Sequence, residues 1–479
     1  MFSFFHVENY KKIFFTLLII SISPLLFSKI NLIGNHEIPN YLSNFINFKD
    51  FLLNHEEINF LTETSNQRFR PTFYIIKGLE YFLIEDNHIY YFLFKFLFII
   101  LIGYLIYRLN KILFKKEDLV FFSTSALIFF PTNYDIFSRL DVQEFYFLIF
   151  FSILINIIVK KNNEKFFKII NDDFLKLVLL ILIIGTKEIF VFHIFIFLIL
   201  NYLLKLEIIL FKNKFYFFLL FLFQLLFLIK FLIIFSNVGS DTYELEHNFD
   251  KLIYLIKIFP FQNPINLTLI FSWIFCIFLI YQTKINKYDL KIFLLLTAHI
   301  IFDYLFYQGL GSYRHYIIGL ICIVYFLSIL YDKYIFEIIF LKNFTSLIRN
   351  FSFIVILVLF TMLFSLNLKM TIQNIQEQRI LSKVYNSNVD LVIKSKTPNE
   401  RVISSAYFSN FYKPQKKIIY NNGKKSSLIL PENLKFRFFM PKNNYIILNN
   451  EYDCLVFEKN LKTDECKNIY FFPEEINLF

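Results

Sequence analysis

Four polar stretches between long apolar runs contain residue types that could carry out chemistry. The first stretch, residues 30–87, contains Glu37, Asp50, Arg68 and Arg70. A carboxylate such as Glu37 can act as a general base, and an arginine can hold a phosphate through paired hydrogen bonds. The alternative for each single residue is an ordinary solvated loop, so this stretch is a candidate site only together with the others.

The second and third stretches are short connections between apolar runs. Arg139, Asp141 and Glu144 precede one run, where acidic residues can bind a substrate or can simply favour the start of a helix. Lys187 and Glu188 lie in a tight connection between two further runs. Charged residues between two apolar runs are costly to bury unless they have partners or a function. This cost favours a functional role for the pair.

The fourth stretch begins at Asp303 and ends with Arg314, which opens an apolar run. Arg314 can bind an anion, or it can be a snorkelling residue at the membrane interface. His193 lies in the apolar run after Lys187 and either lines the same cavity or packs between helices. His299 is interpreted as a snorkelling residue or as a contact between helices.

The composition indicates what must position these residues. The 479 residues are 57% hydrophobic and only 18% charged, with a mean hydropathy of +0.53. A soluble domain is about a quarter charged, and a membrane-crossing helix needs about 20 apolar residues. We therefore predict an all-α polytopic membrane protein with about 11 transmembrane helices. The candidate spans are residues 13–29, 90–107, 117–131, 143–159, 174–186, 189–204, 215–235, 265–282, 290–307, 315–331 and 351–368.

Loop charges predict the orientation. The net charge is +11, and lysine-rich loops alternate with loops of lower positive charge. Because cytoplasmic loops are enriched in Lys and Arg, the N-terminus is expected in the cytoplasm of a cell (inner) membrane protein. The first stretch and the tail after the last span then face outward. The positive net charge is thereby explained by the lysine-rich cytoplasmic loops, and no nucleic-acid partner is expected.

Two further elements are predicted outside the spans. Residues 71–84 have the mixed pattern of an amphipathic helix at the interface, with Pro71 in its first turn. After residue 366 the composition becomes polar, and short apolar runs alternate with turn formers. We therefore divide the chain into a transmembrane domain, 1–366, and a small extracytoplasmic α/β domain, 367–479. Cys454 and Cys466 can form a disulfide if this tail is outside the cytoplasm.

The motifs that are absent from the sequence narrow the function. The chain has no Gly-rich nucleotide loop, no Cys/His spacing typical of a metal site and no Gly-x-Ser-x-Gly. These absences disfavour soluble-enzyme chemistry and ATP-driven transport.

Short motifs in all four stretches resemble the GT-C glycosyltransferases, a superfamily that includes protein O-mannosyltransferases and bacterial aminoarabinose transferases. The matching segments are Arg68-Phe69-Arg70-Pro71-Thr72-Phe73-Tyr74, Phe137-Ser138-Arg139-Leu140-Asp141-Val142-Gln143-Glu144, Thr186-Lys187-Glu188 and Tyr313-Arg314-His315-Tyr316. Where family members usually carry aspartate early in the first loop, this chain has Asn35-His36-Glu37. The resemblance therefore assigns the catalytic carboxylate to Glu37 or, as a second choice, to Asp50.

The resemblance implies that a sugar moves, with inversion, from a polyprenyl-phosphate carrier to a glycan, lipid or protein acceptor. Glu37 would deprotonate the acceptor. Cationic candidates for holding the leaving phosphate are Arg68, Arg70, Lys187 and Arg314, because developing negative charge needs fixed positive partners. Arg139, Asp141 and Glu144 would orient the sugar, the acceptor or a metal, and Glu188 belongs to the same substrate-binding set. A divalent metal is left open as a cofactor.

Two other functions remain open, namely a transporter or flippase for lipid-linked glycan, and an O-antigen-type polymerase or ligase. Transporters often have paired repeats and midplane charges, whereas this sequence has no internal repeat and its charges cluster towards one face. The transferase hypothesis predicts that the first loop, the second loop and the Lys187 connection meet in one groove, roofed by the 367–479 domain.

Overall fold

The computed structural model describes the helices and strands of the chain and not the long connections. The described residues are 9–28, 70–84, 88–140, 142–159, 171–206, 210–238, 285–306, 316–334, 345–385, 391–394, 418–421, 427–429, 445–446, 452–456 and 466–471, with a few positions between 273 and 281.

Most of the described residues are helical. The helices are α1 (Tyr10–Ile22, continued by a 3-10 turn at Ser23–Phe27), α2 (Pro71–Ile84), α3 (His88–Leu113), α4 (Glu117–Phe129), α5 (Thr132–Ser138), α6 (Gln143–Val159), α7 (Asp172–Ile184), α8 (Glu188–Leu203), α9 (Lys214–Val238), α10 (Lys287–Phe306), α11 (Ile317–Lys333) and α12 (Thr345–Tyr385). Helix α2 has the bounds predicted from the sequence, because Pro71 fits the first turn, where no backbone N–H is needed.

Three helical stretches in the described residues are long and apolar enough to cross a membrane: Tyr10–Phe27, Ile89–Leu113 and Asn350–Val384. Only 39%, 39% and 22% of their most apolar windows is buried inside the protein. The remaining apolar surface suits contact with lipid. The shorter helices Gln143–Val159 and Glu188–Leu203 are also apolar. The total of about 11 spans stays a prediction, since these three are the described helices with the length and composition of a span.

One large apolar core joins the helices. Helices α1 and α3 approach closely at Gly103, where a Cβ atom would lie 2.6 Å from Cδ2 of Leu18. Buried amides also join neighbouring helices. Asn110 of α3 donates to Thr124 of α4 at 2.9 Å, and Asn156 of α6 donates to the carbonyl of Leu105 at 2.9 Å. Such hydrogen bonds hold helices together where apolar burial alone does not distinguish protein from lipid.

Helix α12 continues to Tyr385, so the predicted domain boundary at residue 366 falls inside it. The composition becomes polar there, but the polar side chains find partners in the turn after α1. Asn367 donates to the carbonyl of Ser21 at 2.9 Å, and Thr371 donates to that of Pro24 at 3.0 Å. The helix therefore persists beyond the end of its apolar run, and the change to strands comes after it.

The C-terminal strands form a six-stranded sheet in the order β4-β3-β2-β1-β5-β6. The strands are β1 (Leu391–Lys394), β2 (Ile418–Asn421), β3 (Ser427–Ile429), β4 (Tyr445–Ile446), β5 (Tyr452–Val456) and β6 (Cys466–Phe471). The central strand β1 pairs in parallel with β2 and β5, and β6 is parallel to β5, whereas β3 is antiparallel to both its neighbours. The apolar runs near 418, 445 and 454 are thus confirmed as strands; the run at 402–403 lies outside the described residues.

Two contacts fix the end of the sheet. A disulfide joins Cys454 of β5 to Cys466 of β6, as the sequence allowed. Leu455 of β5 belongs to the same apolar cluster as Leu381 and Val384 of α12. The sheet and the last turns of α12 therefore both contribute to the main apolar cluster.

Candidate functional site

Four charged side chains from three separate parts of the sequence form a buried cluster. Arg70 donates from Nε to both carboxylate oxygens of Glu188, at 3.1 Å each. Lys187 forms an ion pair and hydrogen bond with Glu144. Arg70, Glu144, Lys187 and Glu188 are each no more than 6% exposed. We call these residues the four-charge cluster; the charges balance in pairs, as burial of ionised groups requires.

The connection between α7 and α8 positions two members of this cluster. Helix α7 ends at Ile184 with Gly185 as its C-cap, and the hydroxyl of Thr186 donates to the carbonyl of Ile183 at 2.7 Å. Lys187 then caps α8 in an extended conformation, and Glu188 occupies the first turn, where the helix dipole favours an acid. The tight turn thereby directs two adjacent charged residues to partners on two other elements.

Helix α2 is anchored to the same turn. The backbone N–H of Thr72 donates to the carbonyl of Gly185 at 3.1 Å. A Cβ atom on Gly185 would lie 2.1 Å from Oγ1 of Thr72, so this close approach requires glycine. Because Arg70 directly precedes α2, the anchor brings its guanidinium to Glu188.

A second polar group lies along α2 and the first turn of α6. Lys77 pairs with Glu80 at 2.6 Å, and the hydroxyl of Tyr146 donates to the same carboxylate. The Lys77 ammonium also lies 5.3 Å from the centre of the Tyr146 ring. Lys95 of α3 lies 4.7 Å from the centre of the Phe145 ring. Cations are attracted to aromatic faces at these distances.

These side chains line a small cleft between α2, α3 and α6. Its walls also include Tyr91 and Leu140, and Lys77 and Lys95 are 8% and 5% exposed. Glu144 of the four-charge cluster is two residues from Tyr146, and Arg70 is two helical turns from Lys77. Residues 70–84 and helix α6 thus contribute side chains to both the cleft and the cluster, and we treat the two as one candidate site.

The predicted site residues have three different outcomes. The structure brings together Arg70, Glu144, Lys187 and Glu188. Arg139 lies at the end of α5 and pairs with Asp135 of the same helix at 3.4 Å. Glu37, Arg68, Asp141 and Arg314 lie outside the described residues, as does Asp50.

Sequence reasoning missed the cleft as part of the site. The sequence pattern places Lys77 and Glu80 in an interfacial helix, and Lys95 and Tyr146 in apolar spans. A lone lysine in a long apolar run is a signal in itself, because a charge at that depth needs a partner. Lys95 was therefore the residue from which the cleft could have been predicted.

A buried ion pair at the N-terminal end of α7 is hydrogen-bonded to backbone groups that precede α9. Lys176 pairs with Asp173 at 3.2 Å and donates to the carbonyl of Leu210 at 2.8 Å. Burial raises the pKa of the Asp173 carboxyl, but the Asn213 N–H, the Lys176 ammonium and the Lys212 N–H together lower it below its ordinary value. This pair joins α7 to the start of α9 and serves as a reference for the four-charge cluster.

A further polar group lies inside the helix bundle. Nδ1 of His193 is 2.9 Å from Nδ1 of His299, and Nε2 of His193 is 2.7 Å from Oδ1 of Asp303. The other carboxylate oxygen of Asp303 accepts the N–H of Gly319 at 2.9 Å. We call His193, His299 and Asp303 the His–Asp network.

Within the part of the chain that the structure describes, no three His, Cys, Asp or Glu side chains are arranged to hold a metal ion. In the His–Asp network the two nitrogens of His193 face different partners, so the three side chains form a line and do not converge on one point.

No protein-family model, curated protein or solved structure matches the chain. The site geometry and the sequence motifs are therefore the basis on which a function is proposed.

Proposed function

We propose that this protein is a membrane glycosyltransferase that moves a sugar, with inversion, from a polyprenyl-phosphate donor to an extracytoplasmic acceptor. The observation that supports the proposal most is the convergence of Arg70, Glu144 and the Lys187–Glu188 connection. The transferase hypothesis required these distant stretches to meet, whereas a set of unrelated solvated loops would leave them apart.

The chemistry of the site suits an anionic donor. Buried lysine and arginine side chains provide positive charge in a medium of low dielectric, where an electrostatic interaction is stronger than in water. In the proposed complex, the leaving phosphate lies at Lys187 and Arg70, and Lys77 and Lys95 extend the positive charge along the cleft. Glu144 and Glu188 hold the cations in position before the donor binds, which reduces the reorganisation needed during the reaction.

The remaining roles are assigned from the sequence. Glu37 or Asp50 is the proposed base, and Arg68, Arg139, Asp141 and Arg314 complete the proposed substrate-binding set. We propose that the N-terminus is cytoplasmic and that the candidate site and the sheet lie outside. The Cys454–Cys466 disulfide supports this orientation, because disulfides persist in oxidising compartments and are rare in the cytosol.

Transfer assays with purified full-length protein in lipid nanodiscs test the proposal. We expect wild type to release polyprenyl phosphate from at least one polyprenyl-phosphate sugar, and Lys187→Met to reduce the rate at least about 100-fold, the cost of losing one electrostatic contact to the transition state. Glu37→Gln is expected to lose transfer to a similar extent if Glu37 is the base.

Lys176→Met is the matched control, because Lys176 is, like Lys187, a buried lysine paired with a carboxylate, which here is Asp173 on the preceding turn of the same helix. Its transfer rate is expected to stay within a few-fold of wild type, provided both variants elute as folded protein. Equal loss in both lysine variants would reduce the four-charge cluster to a structural role. Lack of transfer from every donor tested would overturn the proposed function.

One observation favours the alternative of a transporter for lipid-linked glycan. Buried His and Asp side chains inside a helix bundle are typical of proton relays in pumps and transporters, and the His–Asp network has this composition. The two functions differ in what they do to the donor: a transferase cleaves it, whereas a flippase moves it intact across a proteoliposome membrane.

A further inference from the structure

The His–Asp network lies at one end of three packed helices. His193 is the sixth residue of α8, Asp303 is three residues before the end of α10, and Gly319 is the third residue of α11. At 1.5 Å per residue, His193 is about 7.5 Å along the axis from Glu188 of the four-charge cluster. The three side chains are 5%, 8% and 1% exposed for His193, His299 and Asp303.

Asp303 is stabilised as a carboxylate by the start of α11. The N–H of Gly319 is among the first four of the helix, which have no acceptor within the helix, and it donates to Asp303. The positive end of the helix dipole also favours an anion at this position. A buried carboxylate held in this way can accept a hydrogen bond from His193 without taking the proton itself.

The distance between the two rings limits how many protons the network can hold. The contact between the two Nδ1 atoms at 2.9 Å has room for one hydrogen, so one ring donates and the other accepts. With both rings neutral, His299 donates to His193, and His193 donates to Asp303. One added proton makes one ring an imidazolium and keeps every hydrogen bond, whereas a second would place hydrogens on both Nδ1 atoms and break the contact.

We propose that His193, His299 and Asp303 form a binding site for one exchangeable proton, which the two imidazole rings share as a single titrating unit. Uptake of the proton neutralises the buried negative charge of Asp303 by creating a His⁺–Asp⁻ pair, which is the physical reason for binding. Histidine suits this role because each of its two ring nitrogens can donate or accept a hydrogen bond according to its protonation. This site is independent of the proposed transferase activity.

The other described ionisable groups on the packed helices are not members of the His–Asp network. The Cys322 thiol of α11 is within electrostatic reach of Asp303, and Lys230 of α9 is exposed. Glu188 at the start of α8 is paired with Arg70. Glu117 and Asp118 lie in the first turn of α4, next to Lys116. Lys116 lies 3.7 Å from Asp332 at the C-terminal end of α11, so these acids are at the end of α11 opposite to Gly319.

Histidine ring NMR of the full-length protein in nanodiscs, labelled with ¹³C and ¹⁵N in histidine, tests the site. Signals are assigned with His193→Gln and His299→Gln. We expect the two rings to shift together and to take up one proton in total as the pH is lowered from 9 to 4. Asp303→Asn is expected to lose this titration in the same range, because the buried counter-charge is removed.

Several results would overturn the proposal: rings that keep one protonation state throughout the range, rings that titrate separately with one proton each, or an unchanged titration in Asp303→Asn. Phe302→Leu alters a ring that packs edge-on against His193 at 5.1 Å and should preserve the titration. If Asp303→Asn does not fold, the wild-type titration decides alone. A failed transfer assay does not affect these readouts, so the two proposals can fail separately.

Discussion

At the scale of single residues, the main physical fact is that the charges of the candidate site are buried and paired. Arg70 and Glu188 are 118 residues apart in the chain and are both almost fully buried. Removing one partner of such a pair leaves a buried uncompensated charge, whereas replacing both by apolar residues leaves no charge to compensate. A double replacement should therefore restore stability without restoring function.

Glu188→Leu alone is predicted to destabilise the protein by about 3–5 kcal/mol, because Arg70 then remains buried without this counter-charge. The double variant Arg70→Met/Glu188→Leu is expected to recover much of that loss. Unfolding of the purified protein in mixed micelles, followed by fluorescence or circular dichroism, measures both effects.

The transfer assay separates function from folding in this pair of variants. The double variant should remain inactive although it is folded, since the proposed phosphate-binding cation is gone. A double variant with full transfer activity would remove Arg70 from the site. If the double variant is no more stable than Glu188→Leu, the loss of stability does not come from an unpaired charge on Arg70.

At the scale of elements, the turn between α7 and α8 determines whether the site forms. It directs Lys187 and Glu188 to different partners and accepts the anchor from α2. Its spacing is visible in the sequence as a Gly-Thr-Lys-Glu connection, but the identity of the partners is not. The sequence predicted α2 from Pro71 and a mixed apolar pattern, because these are local signals.

Gly185→Ala is predicted to reduce stability by about 1–3 kcal/mol and to impair transfer, because the added Cβ overlaps Thr72 and pushes α2 away from the turn. Gly319→Ala is the matched control, since its Cβ would lie 3.6 Å from Asp303, an ordinary contact distance. Thermal unfolding and transfer rates of both variants measure the difference. Equal behaviour of the two would mean that the α2 anchor does not matter.

At the scale of the whole molecule, the disulfide gives a way to test on which side of the membrane the sheet lies. Cys454 and Cys466 are joined across neighbouring strands, and Cys322 is free and buried. In a Cys276→Ser/Cys322→Ser background, only the β5–β6 pair can react with a thiol reagent.

We predict that Cys454 and Cys466 of protein isolated from membranes under acid quenching, which stops thiol–disulfide exchange, react with maleimide-polyethylene glycol only after denaturation and reduction. A gel shift measures the number of reactive thiols. The same protein made with its sheet retained in the cytoplasm is the control and should react without reduction. Reaction of the membrane-derived protein without reductant would contradict an outward-facing sheet.

The sequence by itself determined the features that depend on local pattern. Apolar runs predicted a helical chain with membrane-length segments, Pro71 predicted the start of α2, and alternating apolar and turn residues predicted three of the strands. These signals are strong because they follow from propensity and burial over a few adjacent residues. The sequence also selected Arg70, Glu144, Lys187 and Glu188 as ionisable residues in a chain with few charges.

Only the tertiary structure decided which of these residues are partners. The pairing of Arg70 with Glu188, the cleft around Lys95 and the line from His299 through His193 to Asp303 all join positions far apart in the chain. No short-range pattern encodes such contacts, because they depend on how helices cross and on which faces are buried. The continuation of α12 past residue 366 was decided in the same way, since its polar side chains are stabilised by the turn that follows α1.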